Sequence, residues 1–144
     1  MTINEKELKE LKSAALRARR WAYAPYSKNR LGAALLAKDG RIFSAGNIEN
    51  SCYALTVCAE RAVAYQAVSQ GVVHFKALLI YSDEKELISP CGACRQVLWE
   101  LAGDIEIIMV GPGASSAWKK IARLSTLYPH PYKLKNCHRL KRNK

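Results

Sequence analysis

Apolar residues recur every three or four positions near the start of the chain, between residues 4 and 23. This spacing predicts an amphipathic helix whose apolar stripe consists of Leu8, Leu11, Ala15, Ala18 and Ala22. A capping box at Thr2–Glu5 or Asn4–Glu7 would begin the helix. Pro25 would end it, because the residue before a proline disfavours helical backbone.

Shorter apolar runs and further helical patterns alternate along the rest of the chain. The Asp39-Gly40 pair predicts a hairpin turn, and the apolar runs at 75–81 and 105–110 predict two buried strands. The remaining predicted elements are strands at 33–38, 41–45 and 118–122 and helices at 58–70, 90–101 and 124–128, with Thr56 and Ser89 as helix N-caps. This alternation predicts an α/β sandwich in which the two buried strands are central and parallel.

Positive charge is concentrated at the C-terminal end. The 144-residue chain has a formal net charge of +11, and residues 133–144 contain six Lys or Arg and no acid. The length and a hydrophobic content of 49% fit one domain, which we place at 1–132, followed by a basic tail at 133–144. Such a tail would attract polyanions such as nucleic acid, whereas the simpler interpretation is a solvated segment that aids solubility.

The cysteine content bears on the cellular compartment. The chain has five Cys, an odd number, and residues 1–12 are charged and lack the apolar core of an export signal. No run approaches the roughly 18 apolar residues of a membrane span. We therefore expect a cytoplasmic protein with no membrane partner, whose thiols stay reduced and free to bind a metal.

Three of these cysteines stand in two short motifs, Cys58-Ala59-Glu60-Arg61 and Pro90-Cys91-Gly92-Ala93-Cys94-Arg95. Each motif lies at a predicted helix start, where the positive end of the helix dipole stabilises thiolates. Three thiolates can hold one Zn²⁺ and leave its fourth position open, which distinguishes a catalytic site from a structural one. Glu60 lies two residues from Cys58, so it can face the metal without binding it and can carry protons.

Two arginines beside the cysteines, and four further residues that could be metal ligands, bear on this interpretation. Arg61 and Arg95 are placed to hydrogen-bond the sulfurs and to offset the net negative charge of three thiolates on Zn²⁺. A structural zinc site would need a fourth protein ligand, and a redox Cys-x-x-Cys would leave Cys58 unrelated to it. The candidates for a fourth ligand, none at short spacing from the other three, are Cys52, His74, Cys137 and His138.

The two motifs and three further segments resemble, in order, those of the cytidine deaminases, the small nucleoside enzymes of the zinc deaminase superfamily. The further segments are Tyr-Ala-Pro-Tyr-Ser-Lys at 23–28, Gly-Ala-Ala-Leu at 32–35 and Asn-Ile-Glu-Asn at 47–50. The resemblance runs from about Leu8 to Tyr132. It implies a three-layer α/β/α sandwich with a central mixed five-stranded sheet.

The resemblance also implies roles for individual residues. Glu60 would move protons between water and substrate, and zinc would be bound by Cys58, Cys91 and Cys94. Asn47 and Glu49 would bind the ribose hydroxyls, and the backbone around Ala59, Ser89 and Cys91 would contact the pyrimidine edge. The resemblance further implies a homotetramer, or a homodimer, whose sites are completed by neighbouring subunits.

Two positions depart from the family pattern. Asn29 stands where the family usually has Phe, which removes an apolar wall near the nucleoside and adds hydrogen-bonding capacity. The segment 127–132 replaces a Leu-Leu-Pro-Gly-Ala-Phe type of ending, and Tyr132 would then close a neighbouring subunit's site. The basic extension at 133–144 lies outside the family pattern.

The predicted reaction is hydrolytic deamination of cytidine or deoxycytidine to uridine or deoxyuridine with release of ammonia, as in pyrimidine salvage. Because Asn29 changes the pocket, alternatives are the same chemistry on a modified cytosine nucleoside, a blasticidin-type antibiotic or a nucleic-acid cytosine bound through the tail. A third interpretation is a non-catalytic zinc-containing binding protein in which Glu60 is idle. The expected cofactor is Zn²⁺, and the expected partner is a small cytosine nucleoside.

Overall fold

The computed structural model describes residues 3–113 and 119–134. Its helices and strands, in chain order, are α1 (Glu5–Arg19), β1 (Gly32–Ala37), β2 (Ile42–Gly46), α2 (Ala59–Ser69), β3 (Phe75–Tyr81), α3 (Gly92–Leu101), β4 (Glu106–Val110), β5 (Lys119–Arg123) and α4 (Leu124–Leu127). A short 3₁₀ turn at Tyr53–Leu55 precedes α2. None of the described helices is long and apolar enough to cross a membrane.

The five strands form one mixed sheet in the order β2-β1-β3-β4-β5. β3 and β4 are parallel, with Leu78 opposite Ile107, and the other three strand pairs are antiparallel. The predicted pair of parallel buried strands is therefore confirmed, as is the mixed five-stranded sheet. The predicted strands and the last helix agree with the observed bounds to within one residue, except that position 118 lies outside the described residues.

Helices cover both faces of the sheet. On one face α1 packs against β1, β2 and β3, in a core that includes Leu11, Ala14, Ala15, Leu36, Ala77 and Leu79. On the other face α2 and α3 close a larger core that includes Val63, Ala67, Leu98, Leu35, Leu78, Ile80 and Ile107. These two cores give the three layers of the predicted α/β/α sandwich.

The first helix begins as one of the two predicted capping boxes requires but ends earlier than predicted. The Asn4 side chain accepts from the Glu7 backbone at 2.9 Å, and the Glu7 carboxylate accepts from the Asn4 backbone at 2.8 Å. The helix ends at Arg19 rather than near residue 23. The chain turns there because Tyr23 is paired with the segment after β2: its N–H donates to the Asn47 carbonyl at 2.9 Å.

Two glycines allow α1 to lie very close to the sheet. Gly32 and Gly46 face each other across β1 and β2. A Cβ added at Gly32 would lie 2.0 Å from the Ala15 carbonyl oxygen, and one at Gly46 would lie 2.8 Å from Ala22 Cα. Both contacts are with backbone atoms, so a side chain at either position would push α1, or the turn that follows it, away from the sheet.

A polar contact at Asp104 fastens β5 and α4 to the loop before β4. Its Oδ1 accepts from the Ser125 backbone at 2.8 Å, and its Oδ2 lies 3.0 Å from Arg123 Nη2. Burial on its own would raise the pKa of Asp104, but the Ser125 N–H and the Arg123 guanidinium hold that pKa below its usual value. The carboxylate is therefore stabilised in its charged form in the folded chain.

Candidate active site

Three thiols meet where α2 and α3 begin. Cys58 is the N-cap of α2, Cys91 is the N-cap of α3, and Cys94 lies buried in the first turn of α3. The three Sγ atoms lie within 4.8 Å of one another, and those of Cys58 and Cys91 are 4.0 Å apart. The fold thus brings together the three cysteines that the sequence motifs singled out.

The N-caps predicted from sequence, Thr56 and Ser89, were wrong by two residues in each helix. The Thr56 hydroxyl instead accepts from the Asn50 backbone at 3.1 Å, and the Ser89 hydroxyl accepts from the Arg95 guanidinium at 3.2 Å. Neither cysteine N-cap makes a side-chain capping hydrogen bond. Because both cysteines are N-cap residues, their sulfurs lie at the positive helix ends, where a thiolate is favoured.

The thiol cluster polarises its own members. The Cys94 thiol hydrogen-bonds the Cys58 sulfur, and this is the largest of several contacts that lower the pKa of Cys58. Cys91 and Arg61 lower it further, while burial opposes them. The same hydrogen bond, together with burial, raises the pKa of Cys94. Of the three sulfurs, that of Cys58 is thus the one whose thiolate form the neighbouring groups favour.

The two arginines of the motifs occupy different places. Arg61 hydrogen-bonds the Cys58 sulfur and donates from Nη2 to the Thr56 carbonyl at 2.8 Å, a position that suits the role predicted for it. Arg95 instead donates to the carbonyls of Pro90 and Leu127, both at 2.7 Å, and to the Ser89 hydroxyl. Its guanidinium thereby ties the loop before Cys91 to the end of α4, which the sequence did not predict.

Glu60 is a buried carboxyl in the first turn of α2. Its residue surface is 3% exposed, and its Oε2 has no hydrogen-bond partner among the described residues. Burial raises the pKa of Glu60 to about 7, and the nearby Cys58 thiolate raises it as well, whereas Arg61 lowers it. A carboxyl with such a pKa can both take up and release a proton near neutral pH.

The donor set fits zinc with one position left for another ligand. Thiolates are preferred zinc ligands, and catalytic sites commonly use three protein ligands. Among the described residues, no fourth His, Cys, Asp or Glu joins the cluster. Cys52 is exposed and His74 stands at the start of β3, outside the cluster, while Cys137 and His138 lie outside the described residues.

The two residues expected to bind ribose both hold the loop at 23–31. Asn47 is 7% exposed, accepts from the Leu31 backbone at 2.9 Å and donates from Nδ2 to the Asn29 carbonyl at 2.9 Å. The Glu49 carboxylate accepts from the Tyr26 backbone at 2.9 Å and from the Ser27 hydroxyl. Sequence reasoning missed this use of Tyr26 and Ser27, whose place in the segment 23–28 was the available signal.

The remaining predicted site residues differ in exposure. Ala59 is fully buried in the first turn of α2, and Ser89 is exposed in the loop before α3. Asn29 is half-buried in the loop at 23–31. Tyr132 is 66% exposed, and its carbonyl accepts from Gln96 Nε2 at 3.2 Å.

The basic tail is described only at its beginning. The Lys133 ammonium lies 5.7 Å from the centroid of the Trp99 ring, within reach of a cation–π contact. Residues 135–144 lie outside the described residues, so the predicted contact of the tail with nucleic acid stays a prediction.

The sequence was compared with family models, and the model of the cytidine and deoxycytidylate deaminase zinc-binding region matches residues 5–111. The chain belongs to this family. A probable cytidine deaminase from Dictyostelium discoideum is 46% identical over 115 residues, which cover 79% of this chain and 78% of that protein. A cytidine deaminase from Sporosarcina psychrophila is 47% identical over 125 residues, covering 76% of this chain and 92% of that protein.

Solved structures of the family share the fold. The crystal structure of cytidine deaminase from Burkholderia pseudomallei superposes with a TM-score of 0.81 at 34% identity, covering 90% of this chain and all of that chain. The matched zinc-binding region includes all three convergent cysteines. The predicted family, fold class and Zn²⁺ cofactor are therefore confirmed.

Proposed function

We propose that the chain catalyses zinc-dependent hydrolytic deamination of cytidine and deoxycytidine to uridine and deoxyuridine, with release of ammonia. One observation carries the proposal: the buried Glu60 carboxyl, with an unpaired Oε2, stands beside three convergent thiols. The names of the relatives support the same activity. The oxygen of water replaces the exocyclic nitrogen at C4 of the base, so no redox partner is required.

Zinc, when bound by Cys58, Cys91 and Cys94, supplies a Lewis acid that makes a water molecule more acidic. Glu60 would take one proton from a water molecule and deliver it to N3 of the base as the oxygen bonds to C4. It would then carry the second proton of that water, from the hydroxyl formed at C4, to the exocyclic nitrogen. The C4–N bond breaks, ammonia leaves and a carbonyl forms at C4. Burial of Glu60 keeps bulk water from competing for these protons.

Substrate binding would use the segment after β2 and the two helix starts. Asn47 retains one N–H donor and Glu49 retains acceptor capacity beyond their contacts with the loop, which suits a pair of sugar hydroxyls. The backbone near Ala59 and Ser89 lies beside the metal ligands and would contact the pyrimidine. Asn29 and Tyr132 would line the pocket.

We also propose a homotetramer, or a homodimer, whose subunits complete each other's sites. Large apolar side chains stand exposed close to Asn47 and Cys58, namely Tyr23, Tyr26, Ile48, Tyr53 and Leu55. Exposed apolar patches of this kind mark interaction surfaces. Light scattering coupled to size exclusion would give the mass of the assembly. We further propose that the chain acts in pyrimidine salvage, because its proposed substrates are pyrimidine nucleosides, and that it does so in the cytoplasm.

A turnover assay with zinc-loaded protein tests the function. Cytidine and deoxycytidine should give uridine and deoxyuridine with one ammonia each. The same panel should include N4-modified cytidines, a blasticidin-type nucleoside and a cytosine-containing oligonucleotide. If any of these compounds is turned over faster than cytidine and deoxycytidine, that compound becomes the proposed substrate. No turnover across the panel would favour the non-catalytic zinc protein instead.

A further inference from the structure

The loop at 23–31 is fastened at both ends to the segment that follows β2. The Tyr23 N–H donates to the Asn47 carbonyl at 2.9 Å, and the Glu49 N–H donates to the Tyr23 carbonyl at 2.8 Å. At the other end, the Asn47 N–H donates to the Leu31 carbonyl at 3.3 Å. In the middle of the loop, residues 26–29, the Lys28 N–H donates to the Ala24 carbonyl at 3.2 Å, and the contacts with the segment after β2 are made through side chains.

Within that middle part, Glu49 is saturated on one oxygen. Its Oε2 accepts from the N–H groups of Tyr26 at 2.9 Å and Ser27 at 3.3 Å. Its Oε1 accepts from the Ser27 hydroxyl. A carboxylate has about four acceptor positions, so acceptor capacity toward a ligand remains chiefly on Oε1. The oxygen left for a ligand is thus the one that Ser27 orients.

The Ser27 hydroxyl also reaches toward the second sugar-binding candidate. Ser27 Oγ accepts from the Asn29 N–H at 3.0 Å, and the Asn29 carbonyl accepts from Asn47 Nδ2 at 2.9 Å. A continuous hydrogen-bonded chain therefore runs from Glu49 through Ser27 and Asn29 to Asn47. Among the described residues, Ser27 is the one side chain that joins the two candidates, because Asn29 contributes backbone atoms to these contacts.

We propose that Ser27 is the positioning residue that sets Glu49 and Asn47 at the right separation for the sugar hydroxyls of the substrate. The inference rests on the proposed function, since it requires that these two residues bind sugar. Ser27 acts through its neighbours: its hydroxyl donates a hydrogen bond to Glu49, and its oxygen accepts one from the Asn29 N–H. The specificity for a nucleoside over a free base would then depend on a hydroxyl in the loop.

The local charges and backbone agree with this role. The Ser27 hydroxyl is the largest cause that lowers the pKa of Glu49, and Lys28 adds a smaller electrostatic effect. Lys28 has a φ of 62°, in the left-handed region that a non-glycine residue seldom adopts. Residues held in such a conformation need surrounding contacts to keep them there. The Lys28 N–H donates to the Ala24 carbonyl at 3.2 Å, and Glu49 holds the preceding residue, Ser27.

The test compares Ser27→Ala with Ser27→Thr, which keeps a hydroxyl, and with the control Ser13→Ala. Ser13 is exposed on α1 and accepts from Arg17 Nη1 at 2.6 Å, so it also loses a charge-assisted contact but lies outside the site. Ser27→Ala should raise KM for cytidine and the inhibition constant of uridine about tenfold, while kcat stays within about twofold. Inhibition by uracil, which lacks a sugar, should not change. Ser27→Thr should restore most of the loss.

Other outcomes would overturn the inference. Equal weakening of uridine and uracil, or a lower thermal midpoint with unchanged KM, would make Ser27 a structural residue only. If Ser27→Thr does not recover the wild-type KM and inhibition constant, the hydroxyl is not the cause of the loss. If the wild type deaminates nothing, the proposed function fails, and calorimetric titration with uridine and uracil then decides the inference separately. A wild type that binds no uridine overturns both.

Discussion

Replacing Glu60 by Gln separates proton transfer from metal binding in this site. Gln has almost the same shape as Glu but cannot exchange a proton. Glu60 is 3% exposed and stands outside the group of three thiols, so the substitution should leave the zinc ligands in place. An uncharged amide also removes the cost of burying a carboxylate, so the thermal midpoint should remain close to that of the wild type.

The expected magnitude follows from the number of protons that Glu60 moves. A positioned acid–base group contributes about 10²–10⁴-fold to the rate. In the proposed reaction Glu60 serves both N3 and the leaving amine, and its burial prevents bulk water from replacing it. We therefore expect kcat to fall near the upper end, about 10⁴-fold, which corresponds to about 5.4 kcal/mol of barrier.

The assay follows the absorbance change from cytidine to uridine, with zinc per chain measured by a chromogenic chelator after denaturation. Glu10→Gln is the matched control, because Glu10 is exposed on α1 and lies 4.0 Å from Lys6. The control should retain full turnover. A Glu60→Gln protein with a full complement of zinc and turnover within tenfold of the wild type would refute the role assigned to Glu60.

Three further predictions concern the metal, the packing and the pH dependence. Cys94→Ser should lower bound zinc per chain and abolish turnover, whereas unchanged metal content would exclude Cys94 as a ligand. Gly32→Ala should cost about 3 kcal/mol or more in urea unfolding, because its Cβ would lie 2.0 Å from the backbone oxygen of Ala15. Gly40→Ala, where a Cβ meets nothing within 4 Å, should cost only about 1–2 kcal/mol of turn strain, and equal losses would contradict the packing argument. Because the pKa of Asp104 is lowered in the folded chain, its stabilising effect is present above an unfolded pKa of about 4 and is lost as the pH falls through the lower folded value. The unfolding free energy of Asp104→Asn should therefore depend less on pH below about 4 than that of the wild type. If the unfolding free energies of the two proteins change equally with pH in this range, the prediction is wrong.

The architecture was predictable because apolar periodicity depends on burial. The run at 75–81 was predicted with its observed bounds as β3, since every residue but Lys76 is buried there. The end of α1 was not predictable, because it depends on the pairing of Tyr23 with Ile48, which are distant in sequence. Local patterns carry no information about such a contact.

The same distinction between local patterns and distant contacts applies to the residues of the active site. Motif spacing located Cys58, Cys91 and Cys94, because a ligand at a helix start and two ligands three residues apart are local arrangements. The attachment of Arg95 to Leu127 spans 32 residues and could not be anticipated from the motif. The clasp between Glu49 and the loop depends likewise on how β2 is placed beside α1, and that placement becomes visible only in the folded chain.

The sheet ends at β5, and the composition of this strand limits how copies of the protein can associate. An exposed edge strand can add a strand from another molecule and so propagate into open-ended aggregates. Lys119, Lys120 and Arg123 place three cations in this five-residue strand, and both lysines are exposed. Two such edges brought together would repel each other. Pairing through the β5 edge is thereby disfavoured, so the subunits of the homotetramer or homodimer proposed above would meet through other surfaces.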